Sequence, residues 1–317
     1  MGIAARLFFL PLLLLLAGLC GSGRLGAEAG YPLAVRDDAG NPLVLARRPQ
    51  RIVSLTMFSD EVLLELVGPG RLAAVTSFAA DSAVSNIAGR IAAIPKLEFQ
   101  AERILSLRPD LVIVANWSEA QAVSQLRAAG LSVYLSASAV SVEQIRGRIR
   151  DLARLVGEQQ AGEELIARLD RRLAELERRL AIVPENRRRT VLDYSAWGAA
   201  MGRGSSWDEI VRRAGLRNAV GNLPVDGWGQ VPLSKEKLIE LDPDLLVLPG
   251  WVYGQEGGAE AFYARVAADP ALRNLKALRN RRLVRIPENL RATTSHYIVE
   301  SIEFLARAAY PELWEGQ

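Results

Sequence analysis

The sequence predicts an α/β protein made of two similar lobes with mostly parallel sheets, joined by a long helix. Three observations carry this. The stretch AERILSLRPDLVIVANW (residues 101–117) returns as KEKLIELDPDLLVLPGW (residues 235–251), with six of 17 positions identical and five more exchanging one aliphatic residue for another. Each copy reads as a short helix, a turn and a strand. Between the copies, residues 142 to 182 keep a helical pattern, with Gly157 as the one break.

Within each copy, Ile104, Leu105 and Leu107, or Leu238, Ile239 and Leu241, give a helical turn one apolar face. Pro109 and Pro243 then stop the helix, because proline lacks an N–H and disfavours helical geometry in the residue before it. The apolar runs LVIVA and LLVLP follow. Such runs belong to strands buried on both faces, as in a parallel sheet covered by helices. Trp117 and Trp251 sit just past the carboxyl ends of these strands, where open parallel sheets bind ligands. A spacing of 134 residues between the copies is too long for a solenoid and about the size of a domain.

The other elements follow in order. PLAV and PLVL, separated by the turn-forming DDAGN, predict a β-hairpin. RIVSL enters the first sheet, and SDEVLLELVG follows as a helix capped by Ser59 or Asp60 and closed by Gly68. RLAAVTS is the next strand. After the first repeat copy come a helix capped by Ser118 and the strand SVYLS. The helix over QQAGEELIARLDRRLAELERRL spans roughly 33 Å, enough to cross from one lobe to the other. Its two heptads are too few for a coiled coil. RRTVLDYSAW opens the second lobe as QRIVSLTMF opened the first, and SSWDEIVRRAG answers SDEVLLELVG. A helical pair, the strand RLVRIP and a closing helix complete the chain.

Residues 1–29 read as an export signal: Arg6, an apolar run to about Cys20, and the small-x-small site Ala27-Glu28-Ala29. The run is short for a membrane span. The alternative is a lipoprotein signal ending at Cys20, the only cysteine. Cleavage after Ala29 leaves no thiol and hence no disulfide. Arg6, Arg24 and Glu28 leave with the signal, so the net charge falls from +3 to +2. With 39 basic and 36 acidic residues interspersed, nothing points to nucleic acid. The boundaries expected are 30–157 for the first lobe, 158–183 for the bridging helix and 184–317 for the second lobe.

In the hairpin, RIVSL, ERILSLRPDLVI, the long helix, GRGSSWDEIVRRAG with Asn218, and SKEKLIELDPDLLVL, the chain resembles the periplasmic substrate-binding proteins of iron-siderophore, haem and vitamin B12 ABC importers. The resemblance covers nearly the whole chain after the signal. It implies two Rossmann-like α/β lobes bridged by one rigid helix, with a ligand cleft between them. It implies no catalysis and no resident cofactor or metal. The ligand would be an iron or cobalt chelate, and the partner an ABC permease dimer with its ATPase subunits. The chain would be periplasmic or otherwise extracytoplasmic, touching the membrane only through the permease or through lipid on Cys20. The rival class is a secreted two-lobed α/β enzyme, for which neither a nucleophile–base pair nor a cofactor fingerprint is found.

Phe58, Trp117, Trp197, Trp228 and Trp251 lie at strand ends or in loops, where broad aromatic faces suit a large flat ligand. Met57 accompanies Phe58. The alternative use of these aromatics is packing loops over the core. Arg203, in the Gly-rich turn MGRGSSW, could meet an anion, or the turn could serve only to start a helix capped by Ser206. Arg291 could pair with a ligand carboxylate, although a solvent-exposed place is the simpler expectation. His296 is the only histidine, so no multi-histidine zinc site exists, and a local role at a helix start is the simpler expectation. By the resemblance, Tyr194, Tyr253 and His296 are the residues available to ligate haem iron, Arg203 and Arg291 to hold a siderophore, and the aromatics to hold a corrinoid. The residues leave these three open. The resemblance also assigns Glu102 and Glu236, the second residues of the two repeat copies, to docking on arginines of the two permease subunits.

Overall fold

The computed structural model describes residues 30–291 and 293–315. The expected export signal, with Cys20, lies outside them. Two separate sheets form two α/β lobes.

In the first lobe, a hairpin of β1 (Leu33–Arg36) and β2 (Pro42–Leu45) precedes β3 (Ile52–Ser54), α1 (Met57–Val67), β4 (Leu72–Thr76), β5 (Lys96–Leu97), α2 (Ala101–Ser106), β6 (Leu111–Ala115), α3 (Ala120–Ala128), β7 (Val133–Ser136) and α4 (Val142–Val156). The sheet is parallel throughout, in the order β5-β4-β3-β6-β7. All five residues of β6 are buried, as its unbroken apolar run requires. The hairpin is held on by charge. Asp37 pairs with Arg127 at 2.9 Å, and Asp38 pairs with Arg148 and accepts the Ala137 N–H at 2.7 Å.

The bridging helix α5 (Gln159–Leu180) follows a tight break at Gly157. Gly157 adopts φ 73°, a left-handed conformation that favours glycine, and the Glu158 N–H reaches back to the Ala153 carbonyl at 2.7 Å. Gly162 lets α5 lie close on α4, since a Cβ there would stand 2.6 Å from that of Ala153. Leu165, Ile166, Leu169, Leu173, Leu176 and Leu180 bury one stripe of α5.

The second lobe holds β8 (Thr190–Asp193), β9 (Ala199–Met201), α6 (Ser206–Arg213), β10 (Arg217–Asn218), β11 (Gln230–Pro232), α7 (Lys235–Leu241), β12 (Leu245–Pro249), α8 (Gly258–Ala268), α9 (Lys276–Arg279), β13 (Leu283–Ile286), α10 (Glu288–Arg291) and α11 (Ile298–Ala309). Its main sheet is parallel in the order β10-β8-β12-β13, and β9 and β11 form a small antiparallel pair. Helix α5 packs on α1 and α4 of the first lobe and on α11 of the second. One continuous apolar cluster therefore joins both lobes through α5, while a separate cluster covers the other face of each sheet.

The repeated stretch does the same work twice. Its helix ends before a residue of positive φ, Arg108 at 47° and Asp242 at 37°, each preceding the proline. A side chain in that region costs roughly 1–2 kcal/mol. The aspartate after the proline clamps the neighbouring strand. Asp110 accepts the Gln50 and Arg51 N–H groups at 2.7 and 2.8 Å, at the entrance to β3. Asp244 accepts the Thr190 N–H and hydroxyl at 2.8 and 2.9 Å, at the entrance to β8.

Three helix starts differ from expectation. Thr56, not Ser59 or Asp60, caps α1, its hydroxyl accepting the Ser59 N–H at 3.0 Å. Thr56 comes free as β3 ends, which draws Ser59 and Asp60 into the buried first turn. Helix α3 begins one residue beyond the expected Ser118 cap, after Glu119, with no side-chain cap. Ser118 is instead held in the turn leaving β6, its N–H bonded to the Ala115 carbonyl. Ser205, not Ser206, caps α6 by accepting the Asp208 N–H at 3.2 Å, and Ser206 is buried inside the first turn.

If the clamps hold the strand entrances, Asp110→Ala and Asp244→Ala should each cost about 1–2 kcal/mol, the value of hydrogen bonds to a carboxylate discounted for partial exposure. Urea unfolding measures this. A change under about 0.3 kcal/mol in both would remove the clamp from the account.

Candidate functional site

The carboxyl ends of the first lobe's strands converge on a cavity of about 410 Å³, within the size range of small-molecule sites. Each strand contributes the residues with which it turns away. Leu55, Thr56, Met57 and Phe58 follow β3. Ser77 and Phe78 follow Thr76 of β4. Glu98 and Phe99 follow β5, Trp117 and Ser118 follow β6, and Ala137 and Ser138 follow Ser136 of β7. Thr294, from the segment after β13, reaches the same cavity from the second lobe's chain. Phe58 is buried in its wall, whereas Trp117 is 70% exposed.

Of the residues singled out in the sequence, Phe58, Met57 and Trp117 line this cavity. Trp197, Arg203, Trp228 and Trp251 belong to the second lobe and are not among its lining. Trp197 follows β8 and Trp251 follows β12, so both stand at the carboxyl edge of their sheet. The Trp197 indole N–H donates to Gln230 at 3.3 Å. Trp251 meets Tyr253 edge to face at 5.7 Å. Trp228 is 85% exposed on the turn that Asp226 builds by accepting the Trp228 and Gln230 N–H groups. Arg203 turns onto the adjoining loop, donating to the Gly221 carbonyl at 2.8 Å and to Asn222 at 2.7 Å.

Arg291 corrects the expectation of an exposed side chain. It is 6% exposed, and its guanidinium makes a two-pronged bond to Asp193 at 2.9 and 2.8 Å and another to Glu288 at 3.2 Å. The last residue of β8 is a buried carboxylate, and a planar guanidinium is the partner that matches it. The same guanidinium lies 6.0 Å from the Trp197 ring centroid. Tyr194 is partly buried and packs on Phe262, and Tyr253 is exposed. His296 lies away from the cavity, in a notch with Glu65, Arg168 and Tyr297 against α5. Burial pushes its imidazole down to about 4, so it is neutral at ordinary pH. Glu102 and Glu236 are exposed in the first turns of α2 and α7.

Reading the sequence missed Phe78, Phe99 and the hydroxyls of Thr56, Thr76, Ser136 and Ser138. Their signal was position, since each ends or directly follows a strand. The buried Asp60 and Glu61 were missed as well. Asp60 accepts the Thr76 N–H at 3.0 Å beneath the cavity. Glu61 bonds to Ser295 and to Asn86, and Asn86 exchanges bonds with Asn289, so this cluster ties the first lobe to the segment after β13. Burial raises both carboxyls, Asp60 well above the usual range.

Residues 52–290, more than half of the chain, match the periplasmic binding protein family. The chain belongs to that family. As a periplasmic binding protein it is a binding protein of the ABC transporter class, not an enzyme. Among its relatives is the ABC transporter substrate-binding lipoprotein YvrC of Bacillus subtilis strain 168, 20% identical over 293 residues, which are 90% of this chain and 88% of that one. A cobalamin-binding protein of Halobacterium salinarum is 23% identical over 281 residues, 88% of this chain and 74% of the relative. The crystal structure of a periplasmic haem-binding protein from Pseudomonas aeruginosa superposes with a TM-score of 0.69 at 25% identity, covering 83% of this chain and 93% of that one.

The raised carboxyl of Asp60 sets a pH dependence. The folded chain keeps a proton that the unfolded chain loses near 3.8, so stability falls as pH rises from there through the folded value. Asp60→Asn cannot titrate. Its stability relative to the wild type should therefore improve in urea unfolding as pH rises above about 4. A difference that does not move with pH would show that Asp60 stays ionised in the fold.

Proposed function

We propose that this protein is the extracytoplasmic solute-binding component of an ABC importer and that it captures a metal chelate in the cleft and delivers it to a permease dimer. The observation that carries the reading is the cavity at the carboxyl edge of the first sheet. Phe58, Phe78 and Trp117 line it, and Trp197 and Trp251 stand at the matching edge of the second sheet. Ligands of open parallel sheets bind at this edge, and wide aromatic faces bury a flat chelate. Residues 1–29 serve as the export signal. The YvrC relative, named a lipoprotein, favours a second reading of that segment, with lipid on Cys20. Mass spectrometry of the exported protein separates a start at Gly30 from a lipidated Cys20.

A fluorescence titration against cobalamin, haem and ferric siderophores tests the ligand class. Saturable 1:1 quenching with the ligand recovered unchanged is the expected result. Truncating a buried aromatic anchor costs at least ~2 kcal/mol, so Trp117→Ala should weaken the tightest ligand about 30-fold with little change in melting temperature. Unchanged affinity would take Trp117 out of the site. Trp228→Ala, tested beside it, reports whether the second lobe's exposed turn joins the contact.

Glu102 and Glu236 are the proposed docking residues. Both are exposed near the starts of equivalent short helices, and a permease dimer presents the same surface twice. The Glu236 carboxyl is held below its usual range by its own backbone N–H and by Ser234, so it is ionised for pairing with arginine. The double reversal Glu102→Arg with Glu236→Arg should leave ligand affinity within about threefold and abolish stimulation of the transporter's ATPase. Normal stimulation would reduce the two glutamates to helix-start residues.

A further inference from the structure

Resting on the reading of the cleft as a chelate site, we infer that the site takes an uncharged or cationic chelate whose metal is already fully coordinated, and that it discriminates against chelates bearing carboxylates or other net negative charge. Among the described residues, 17 form the cavity wall and only one of them is charged: Glu98, an acid, with no Arg or Lys beside it. Seven hydroxyl-bearing residues line it, Thr56, Thr76, Ser77, Ser118, Ser136, Ser138 and Thr294, of which Thr56 already spends its hydroxyl on Ser59 at the start of α1. A hydroxyl donates once and accepts twice, so this set matches amides, hydroxamates and alcohols, whichever way their hydrogen bonds run. It cannot neutralise a carboxylate, and desolvating an ion without a counter-charge is costly.

The second lobe's candidate cations, Arg203 and Arg291, are committed elsewhere. Arg291 is buried between Asp193 and Glu288, a cluster with more acid than base. Arg203 spends its guanidinium on the Gly221 carbonyl and Asn222. Among the described residues, the metal donors in the lining are the Met57 thioether and the Glu98 carboxylate, with no imidazole, phenol or thiol beside them. Tyr194 packs into the core and His296 faces α5. A ligand that brings its own complete coordination shell asks nothing of these walls except apolar contact and neutral hydrogen bonds.

The test is tryptophan quenching of the purified protein by four probes: cyanocobalamin (uncharged), ferrioxamine B (cationic), haemin (two propionates) and ferric enterobactin (strongly anionic). At least one of the first two should bind about tenfold or more tighter than either anionic probe. That affinity should change little between low and high salt. Glu98→Lys, at an exposed position, should tighten the anionic probes about fivefold relative to the uncharged probe. Haemin or ferric enterobactin binding as tightly as the uncharged and cationic probes would overturn the charge assignment while leaving the chelate reading intact. A haemin Soret band shifted by the wild type and lost in Met57→Leu would overturn the claim of a complete coordination shell. Quenching by none of the four would remove the chelate reading itself.

Discussion

The architecture depends on one apolar seam. The buried stripe of α5 is shared between α1 and α4 on one side and α11 on the other, so the two sheets rest on a common core. Each fully buried leucine contributes roughly 1.5–3 kcal/mol, an upper estimate because the unfolded chain is already partly compact. Opening the lobes by a large hinge would strip α5 from one of them and expose that stripe. A continuous helix also resists bending, unlike a pair of flexible strands. The seam therefore fixes where the carboxyl edges of both sheets lie.

The segment after β13 is a second tie, made of polar groups. Arg291 secures it to Asp193 at the end of β8, and Asn289 and Ser295 secure it to Asn86 and Glu61 of the first lobe. Thr294 lies between these anchors and enters the cavity. A buried ion pair is weak evidence for stability, because desolvation offsets its attraction. Its effect here is geometric. Asp193, Arg291 and Trp197 come into one arrangement, and each bond has a partner that would be left buried and unpaired if the segment moved. Apolar packing through α5 sets the lobes in place, and this polar segment sets their register.

The repeat shows how a local sequence rule becomes a fold rule. Pro-Asp does more than end a helix. The proline forces the preceding residue out of helical geometry, and the aspartate then takes the entering N–H groups of the next strand over. This occurs at equivalent places in both lobes, so the duplicated stretch carries the junction between strands as well as a core strand. The same logic places Trp117 and Trp251 alike at the carboxyl edges, although their surroundings then diverge: one lines the cavity and the other pairs with Tyr253.

Legible along the chain were the two-lobed α/β plan, the hairpin, the long helix with its break at Gly157, and the strand ends that carry Phe58 and Trp117. These follow from periodicity, proline and glycine, which act over a few residues and leave their mark in order along the chain. Sequence reasoning misjudged the caps at Thr56 and Ser205 by one to four residues, because Ser59, Asp60 and Ser206 satisfy the same local rule and only burial separates them. Tertiary structure alone decided the fate of the charged and hydroxyl groups. Arg291 looks exposed until Asp193, 98 residues away in the chain, is brought beneath it. Glu61 meets Ser295 across 234 residues, and hydroxyls from four strand ends meet in one cavity. A charge or a hydroxyl has no periodicity. Its role is set by which neighbour the fold supplies, and that neighbour is seldom near in sequence.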